Sequence, residues 1–369
     1  MYNCVSFYFY LLYNYYGENM KDKSPMILNI STMDDINKLK ELSNVKYINI
    51  DINKPNLEVI YYLIDNGQNY SYSESIDGIN GYIYVSYEIF KDAELELLDI
   101  INNIPINLNE LEIARYLYIT LGKSLGYDIN ILPDKNETFN LKTISTLNNI
   151  WGSIKNKKGT NISFTKTYLY LCRIMNIDCK LVSVSQIGYL KNMLTIDNNS
   201  ILTDITQDIP YIQASFRTKF FNGYNDNIEL DKKINYITDN YNEDIIDHSL
   251  KKLDYSKEDI VKNILIRTQK ILDINKIKPI ELGIVYDIIF NKYCPNYNIS
   301  INNLFINDIY NTKEHFILIS YDNKYYSYNY TKSSFMELSY EELQKNIENK
   351  KIGMYLNEKI PNINKEKVI

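Results

Sequence analysis

The residue types that most often supply a nucleophile or a general base are scarce in this chain. Its thiols and imidazoles are Cys4, Cys172, Cys179, Cys294, His248 and His315. No two cysteines form a CxxC pair and no histidine lies close to one of them in sequence, so the spacing does not match a zinc site. We therefore predict no metal and no other cofactor. Four thiols in 369 residues do not make a disulfide framework, and a reducing, cytoplasmic setting is the simplest interpretation.

Hydroxyl groups gather at the start of one helix. Thr160, Ser163 and Thr165 lie in or beside its first turns, where the helix dipole favours negative charge. A hydroxyl nucleophile there would need a base to accept its proton. The two histidines lie outside this part of the sequence, His248 on a polar helix face and His315 at a strand start, and we expect both to be incidental to any chemistry.

This helix opens a segment, Gly159 to Thr206, whose element order the sequence predicts. An apolar stripe predicts a helix from about Asn161 to Met175. Strands are predicted at residues 180–184, 190–196 and 201–206. The last two flank a turn at Asp197-Asn198-Asn199, so the segment predicts a helix followed by an antiparallel sheet.

Four short motifs in the segment have the spacing of a known enzyme family. They are Leu171-Cys172-Arg173, Asn176-Ile177, Asn192-Met193-Leu194 and Asp204-Ile205-Thr206. In this register the segment resembles the transglutaminase-like branch of the papain-type cysteine enzymes, where the corresponding motifs are LCR, GI, the middle of the histidine strand and DPT. The resemblance covers about residues 107–224. Its outer parts, the helix near Asn109 and the stretch after Asp208, are similar to a group of such proteins from AT-rich bacteria.

The resemblance implies a catalytic triad in which two members are replaced. In the family a Cys nucleophile opens the helix, a His base begins one hairpin strand, and an Asp on the next strand orients the His. The matching positions here are Asn161, Tyr189 and Asp204. A carboxamide is not a nucleophile, and a phenol with an ordinary pKa of about 10 is a poor base at neutral pH. The further side chains expected to line the cleft are Thr160, Ser163 and Asn192.

The two cysteines of the segment are not expected to replace the missing nucleophile. Cys172 lies eleven residues after Asn161, on roughly the same helix face but roughly 16 Å further along the axis. It belongs to an apolar stripe with Tyr168, so we predict a small buried core residue. Cys179 lies at the turn from helix to strand and is also predicted to be structural.

Two functions from different classes follow from this register. The first is a catalytically degenerate transglutaminase-like protein with a protein- or peptide-binding role, whose former cleft persists as a groove. The second is a hydrolase or acyl transferase, of peptidase or transglutaminase type, with a non-standard nucleophile such as Ser163 or a group from the C-terminal region. We favour the first because Asn161 holds the nucleophile position. A purely structural assembly subunit is a third interpretation, and the sequence does not define the oligomeric state.

The pattern of elements predicts a mixed α/β (α+β) fold with three regions. They are a small βαβ-like domain over residues 20–106, the degenerate transglutaminase-like domain over 107–224, and C-terminal helices with a β-hairpin over 225–369. Strands of the first region are predicted at 27–30, 47–52 and 81–87. Capping pairs mark helix starts at Thr32, Asn109, Ser256 and Ser339. The hairpin is predicted around Asp322-Asn323.

Composition and charge restrict the classes of partner that we expect for this chain. The apolar fraction is 45% and the charged fraction 23%, as in globular proteins, and a net charge of −6 lacks the basic footprint of a nucleic-acid binder. The apolar stretch from Val5 to Tyr16 is too short to span a bilayer, so we expect no stable membrane insertion. Because Gly17-Glu18-Asn19-Met20 can be encoded as a ribosome-binding site before a start codon, we expect residues 1–19 to be a leader.

Overall fold

The fold was analysed in a computed structural model that describes residues 25–127, 146–183, 189–213, 218–221, 228–236, 243–255, 259–271, 279–307, 313–329, 334–343 and 351–355. The predicted mixed α/β class is confirmed. The chain forms two compact units, the first of Met1–Asp128, Asn140–Ile209 and Thr218–Tyr236, the second of Ile129–Phe139, Pro210–Arg217 and Ile237–Ile369. The expected leader and Cys4 lie outside the described residues.

The first unit begins with a four-stranded sheet in the order β1-β2-β3-β4. Its strands are β1 (Met26–Ile30), β2 (Val45–Asp51), β3 (Ser71–Ile76) and β4 (Ile79–Asn80). The first three strands are parallel, and helices α1 (Met33–Glu41) and α2 (Leu57–Asn66) connect them. Thr32 and Asp35 form both halves of the predicted capping box at the start of α1.

The strand predicted at residues 81–87 is wrong. Val85 makes a single isolated bridge to Tyr72, and the strand that pairs with β2 in the sheet is β3. The sequence of β3, SYSESI, buries two serines and a glutamate besides Tyr72, so it lacks the apolar alternation that marks a strand. Gly81 lies against β3 so closely that a Cβ there would come within 2.2 Å of Ser73 Oγ.

In the described part of the chain, helices α3 (Tyr87–Asn102), α4 (Glu110–Ser124) and α5 (Ile150–Asn156) follow this sheet. Asn109 and Glu112 form the predicted capping box of α4. Short strands β5 (Gly126–Tyr127) and β6 (Lys158–Gly159) pair in parallel. An aromatic core joins the sheet to α3 and α5, with Tyr72 stacked on Phe90 at 3.9 Å and Phe90 edge-on to Trp151 at 5.2 Å between ring centroids.

The segment singled out in the sequence forms the predicted helix and antiparallel sheet. Its elements are α6 (Asn161–Ile174), β7 (Asp178–Ser183), β8 (Leu190–Ile196) and β9 (Asn199–Thr203), followed by α7 (Ile205–Gln213) and α8 (Ile228–Lys233). Asn176, two residues after the end of α6, has left-handed backbone angles with φ 58°. The Ile177 N–H donates to the Cys172 carbonyl, as in a helix C-cap in which Gly usually has the left-handed conformation. The third strand, predicted at 201–206, ends three residues earlier than expected because α7 starts at Ile205, and it begins two residues earlier, at Asn199.

The described part of the second unit includes three helices of eight or more residues and a five-stranded sheet. The helices are α9 (Glu243–Leu250), α10 (Ile260–Ile271) and α11 (Pro279–Tyr293), and the strands are β10 (Ser300–Asn307), β11 (Lys313–Tyr321), β12 (Lys324–Asn329), β13 (Ser334–Leu338) and β14 (Lys351–Tyr355). The predicted hairpin is confirmed, with Asp322 and Asn323 at φ 48° and 59°. Ser339 and Glu342 bond reciprocally as predicted, whereas Ser256 lies outside the described residues. No described helix is both long and apolar enough to cross a membrane.

Candidate functional site

Asn161 is the first residue of α6, and its side chain joins the start of that helix to β8. Its Oδ1 accepts the N–H of Leu190 at 2.8 Å, and its Nδ2 donates to the Leu190 carbonyl at 2.8 Å. The same nitrogen also donates to Thr206 Oγ1 at 3.0 Å. The carboxamide therefore pairs with both backbone groups of one residue, Leu190, as a neighbouring strand would, and both of its polar atoms are engaged.

Tyr189 and Asp204 form the second part of the site. The Tyr189 hydroxyl donates to Asp204 Oδ1 at 2.9 Å, and the Gln207 N–H donates to the same oxygen at 3.2 Å. Lys191 Nζ lies 3.4 Å from Asp204 Oδ2. Since Asn161 binds the residue next to Tyr189, the three positions singled out in the sequence lie together, and we call Asn161, Tyr189 and Asp204 the candidate site.

The protonation of the candidate site follows from its burial. Burial raises the pKa of Tyr189 far above its ordinary value, and the Asp204 carboxylate raises it further. Burial also raises the pKa of Asp204, against the opposing effects of Lys191 and the Tyr189 hydrogen bond. The phenol therefore keeps its proton and is the donor in its hydrogen bond to Asp204, so Tyr189 does not act as a base here.

The other polar residues of the segment bond to the backbone of α6. Ser163 Oγ accepts the Thr160 N–H at 3.0 Å and donates to the Thr160 carbonyl at 3.1 Å, which makes the two residues a capping box. Thr165 Oγ1 donates to the Asn161 carbonyl at 2.8 Å. Asn192 Nδ2 donates to the Thr165 carbonyl at 2.9 Å. Ser163, Thr165 and Asn192 are fully buried, whereas Thr160 and Asn161 are partly exposed.

The described cysteines, Cys172, Cys179 and Cys294, are free and buried, as predicted for the first two. Burial raises the pKa of Cys172 well above its ordinary value, which suppresses the reactive thiolate. The histidines belong to the second unit: His248 is exposed on α9, and His315 on β11 pairs with Phe305. No group of three His, Cys, Asp or Glu side chains suited to a metal ion occurs in the described part of the chain.

Thiol labelling provides a direct test of this burial. In a Cys4→Ser background, we expect Ellman's reagent to modify the other three cysteines about a hundredfold more slowly in the folded protein than in concentrated guanidinium chloride, because all three sulfur atoms are buried. Burial also raises the pKa of Cys172 and of Cys294, which further opposes thiolate attack. The measurement is the absorbance of the released thionitrobenzoate over time. Rapid modification of Cys172 or Cys179 in the folded protein would contradict the structure and favour the enzyme alternative.

A pocket of about 290 Å³ opens beside Asp204. Residues 200–204 of the β9 region line it together with Lys191, Lys219 and Phe220. The sequence reasoning did not select these residues. Lys191 could have been predicted to lie near the site, because it is two residues after Tyr189 and residues at this spacing in a strand lie on one face. Lys219 and Phe220 carry none, since their approach to β9 depends on tertiary contacts.

Comparison with known proteins adds no relative. No protein-family model matches the chain, and no curated protein matches it. Assignment to a family therefore depends on the motif register and on the contacts within the candidate site.

Proposed function

We propose that the chain is a catalytically degenerate transglutaminase-like protein with a protein- or peptide-binding role. The observation that carries the proposal is a series of contacts. The Asn161 side chain bonds to the backbone N–H and C=O of Leu190, and the preceding residue, Tyr189, bonds to Asp204. A nucleophile, a base and an orienting carboxylate need this order and proximity. A helix start, a strand start and a strand end supply the three positions, as the motif register requires.

The contacts also support the loss of chemistry. A base must accept a proton from the nucleophile, yet the protonated Tyr189 hydroxyl is the donor in its hydrogen bond to Asp204. Both polar atoms of the Asn161 carboxamide form hydrogen bonds, to Leu190 and to Thr206. The groups that would process a substrate in an active relative thus hold α6 to β8 and β8 to the start of α7, which stabilises the fold.

The enzyme alternative gains no support from the hydroxyl groups. Ser163 Oγ is buried and bonded twice to the Thr160 backbone, which is the work of a helix cap. The first unit contains no histidine, since both belong to the second. The Ser163 hydroxyl donates its own proton to the Thr160 carbonyl, so Ser163 is best explained by its structural role.

Restoring the two lost side chains tests the proposal. The double variant N161C/Y189H should place a thiol at the helix start beside an imidazole that Asp204 orients. We expect this thiol to react with iodoacetamide near pH 6.5 at least about tenfold faster than the thiol of N161C/Y189F, because an adjacent imidazolium and a helix start lower a thiol pKa. The measurement is the alkylation rate at position 161, followed by mass spectrometry of the peptide.

The N161C/Y189F variant is the matched control, because it keeps an aromatic ring without a titratable nitrogen. Circular dichroism and the urea midpoint establish that both variants are folded. Equal alkylation rates in two folded variants would show that positions 161 and 189 lack the geometry of a nucleophile and its base, and the family assignment would then fail.

A further inference from the structure

A buried carboxylate joins an amine to a carboxamide in the first unit. Glu74 on β3 is only 3% exposed, and its two oxygens bind different partners. Oε1 lies 2.7 Å from Lys166 Nζ, and Oε2 accepts from Asn149 Nδ2 at 2.8 Å. Lys166 belongs to α6, and Asn149 is the residue before α5. Three separate elements therefore bring these side chains together, and we call Glu74, Lys166 and Asn149 the bridged cluster.

The bridged cluster lies beside buried aromatic side chains and is largely shielded from water. Tyr72, two residues before Glu74, lies on the same face of β3 and stacks on Phe90. Asn149 is fully buried, and Lys166 keeps 19% of its side chain exposed. Transfer of one proton from Lys166 to Glu74 makes both groups neutral, and neutral groups cost less free energy to bury. The same transfer leaves an uncharged amine, which is the nucleophilic form of a lysine.

Backbone groups polarise and orient the carboxamide of Asn149. Its Oδ1 accepts the N–H of Trp151 at 3.0 Å and the N–H of Gly152 at 3.1 Å. Its Nδ2 donates to the Ile83 carbonyl at 3.0 Å as well as to Glu74. Attack of an amine on Cγ would develop negative charge on Oδ1, where the two N–H groups can stabilise it. The four hydrogen bonds hold the carboxamide in one orientation, which favours a reaction that depends on alignment.

We propose that Lys166 and Asn149 join through an intramolecular isopeptide bond, with Glu74 moving the protons. The Lys166 ammonium gives a proton to Glu74, and its nitrogen then attacks Cγ of Asn149. The protonated Glu74 gives this proton to Nδ2, the bond between Cγ and Nδ2 breaks, and ammonia leaves. The new amide nitrogen loses its extra proton through Glu74 to the ammonia. Glu74 is then a carboxylate again, and the products are one amide and one ammonium ion.

The reaction needs no further reactant, because the chain itself holds the amine, the carboxamide and the proton carrier. An amine and an amide that are free in water react very slowly, and holding them together replaces the improbable encounter of the two groups. The partly exposed side chain of Lys166 offers a route by which ammonia can leave. The bond would link α6 to the residue before α5 and close a covalent loop, which restricts the unfolded chain. This modification site does not depend on the binding role proposed above.

Mass spectrometry of the full chain tests for the bond. We expect the purified protein, denatured after it has folded, to be lighter than its encoded sequence by the mass of one ammonia molecule. Trypsin should then release a branched peptide in which Asn149 is joined to Lys166, and cleavage after Lys166 should be lost. Fragmentation of this peptide locates the bond. Ring closure of an asparagine also releases ammonia, but it leaves Lys166 open to trypsin.

Variants of the bridged cluster separate the parts of the reaction. K166R and N149A should have their full sequence masses, since each lacks one of the two joined groups. The joined fraction of E74Q should be at least about tenfold smaller at the same time after synthesis, because a carboxamide cannot move the protons. N149D can form the same amide with loss of water, so its product should have the mass of the joined unaltered chain. The matched control is K155R, which changes an exposed lysine of α5 and should lose ammonia as the unaltered chain does.

Three outcomes would overturn the proposal: a folded, unaltered chain at its full sequence mass, a loss of ammonia without a bond between Asn149 and Lys166, or equal joining in folded E74Q. The first outcome would make the bridged cluster an ordinary buried ion pair with a hydrogen-bonded amide. Circular dichroism establishes that each variant is folded. The first two outcomes need no variant, so they decide the matter even if E74Q does not fold. Neither depends on the alkylation of N161C/Y189H, which tests other positions.

Discussion

Replacing Arg115 with alanine is expected to lower the free energy of unfolding by about 3–5 kcal/mol. Arg115 on α4 is fully buried and donates from Nε and Nη2 to the two carboxylate oxygens of Asp231 at 2.9 and 3.0 Å. Its Nη1 donates to Thr218, and its guanidinium lies 5.0 Å from the centroid of the Phe221 ring. Truncation leaves the Asp231 carboxylate buried without its cation, so the cost exceeds that of a lost surface ion pair.

Urea denaturation followed by circular dichroism measures this change. Arg115→Lys keeps the charge but loses the planar fork, so we expect it to recover only part of the stability. The double variant R115M/D231L removes both charges and should be at least about 2 kcal/mol more stable than Arg115→Ala. If Arg115→Ala unfolds at the urea midpoint of the unaltered chain, the buried pair does not contribute as the geometry indicates. Should the alanine variant fail to fold, a folded R115M/D231L would attribute that failure to the Asp231 carboxylate left without Arg115.

The sequence predicts the fold correctly where residues close together in the chain determine the local structure. Thr32 and Asn109 cap helices as their spacing predicts, and Asp322-Asn323 forms the predicted turn because Asp and Asn tolerate positive φ. The prediction failed at β3, whose buried serines and glutamate resemble surface residues in sequence. Glu74 is stabilised there by Lys166 at 2.7 Å and by Asn149 at 2.8 Å, and both partners are distant in sequence.

The candidate site was predictable in its positions but not in its contacts. The motif register selected Asn161, Tyr189 and Asp204, and a phenol opposite a carboxylate is an expected hydrogen bond. The pairing of the Asn161 carboxamide with the Leu190 backbone cannot be predicted from the sequence, because almost any residue at position 190 has the same N–H and C=O groups.

The buried carboxyl group of Glu94 adds a pH dependence to the fold. Its Oε1 accepts from Trp151 Nε1 at 2.6 Å and from the Tyr170 hydroxyl at 2.8 Å, whereas Oε2 is buried and has no hydrogen-bond partner among the residues that the structure describes. Burial raises the pKa of Glu94 from 4.5 to about 7, against the opposing effects of these two hydrogen bonds. Between these values the folded state holds a proton that the unfolded state has released, so stability falls as pH rises.

Substituting Glu94 with glutamine should remove this dependence. A shift from 4.5 to about 7 corresponds to about 3 kcal/mol, so the stability of E94Q relative to the unaltered chain should rise by about that amount from pH 4.5 to pH 8. Asp208, whose pKa burial also raises to about 7, remains in both proteins, so stability still falls with pH in the variant, but less steeply. Urea unfolding at several pH values measures the difference in free energy.

The control for E94Q is Glu88→Gln, which makes the same change at an exposed position of the same helix. Its stability relative to the unaltered chain should stay nearly constant over the same pH range. The glutamine at position 94 keeps an oxygen for the Trp151 and Tyr170 donors, so packing and hydrogen bonding change little and the pH dependence isolates the charge. A constant difference for E94Q would mean that Glu94 ionises in the fold at little cost, which requires water at Oε2 and contradicts its burial.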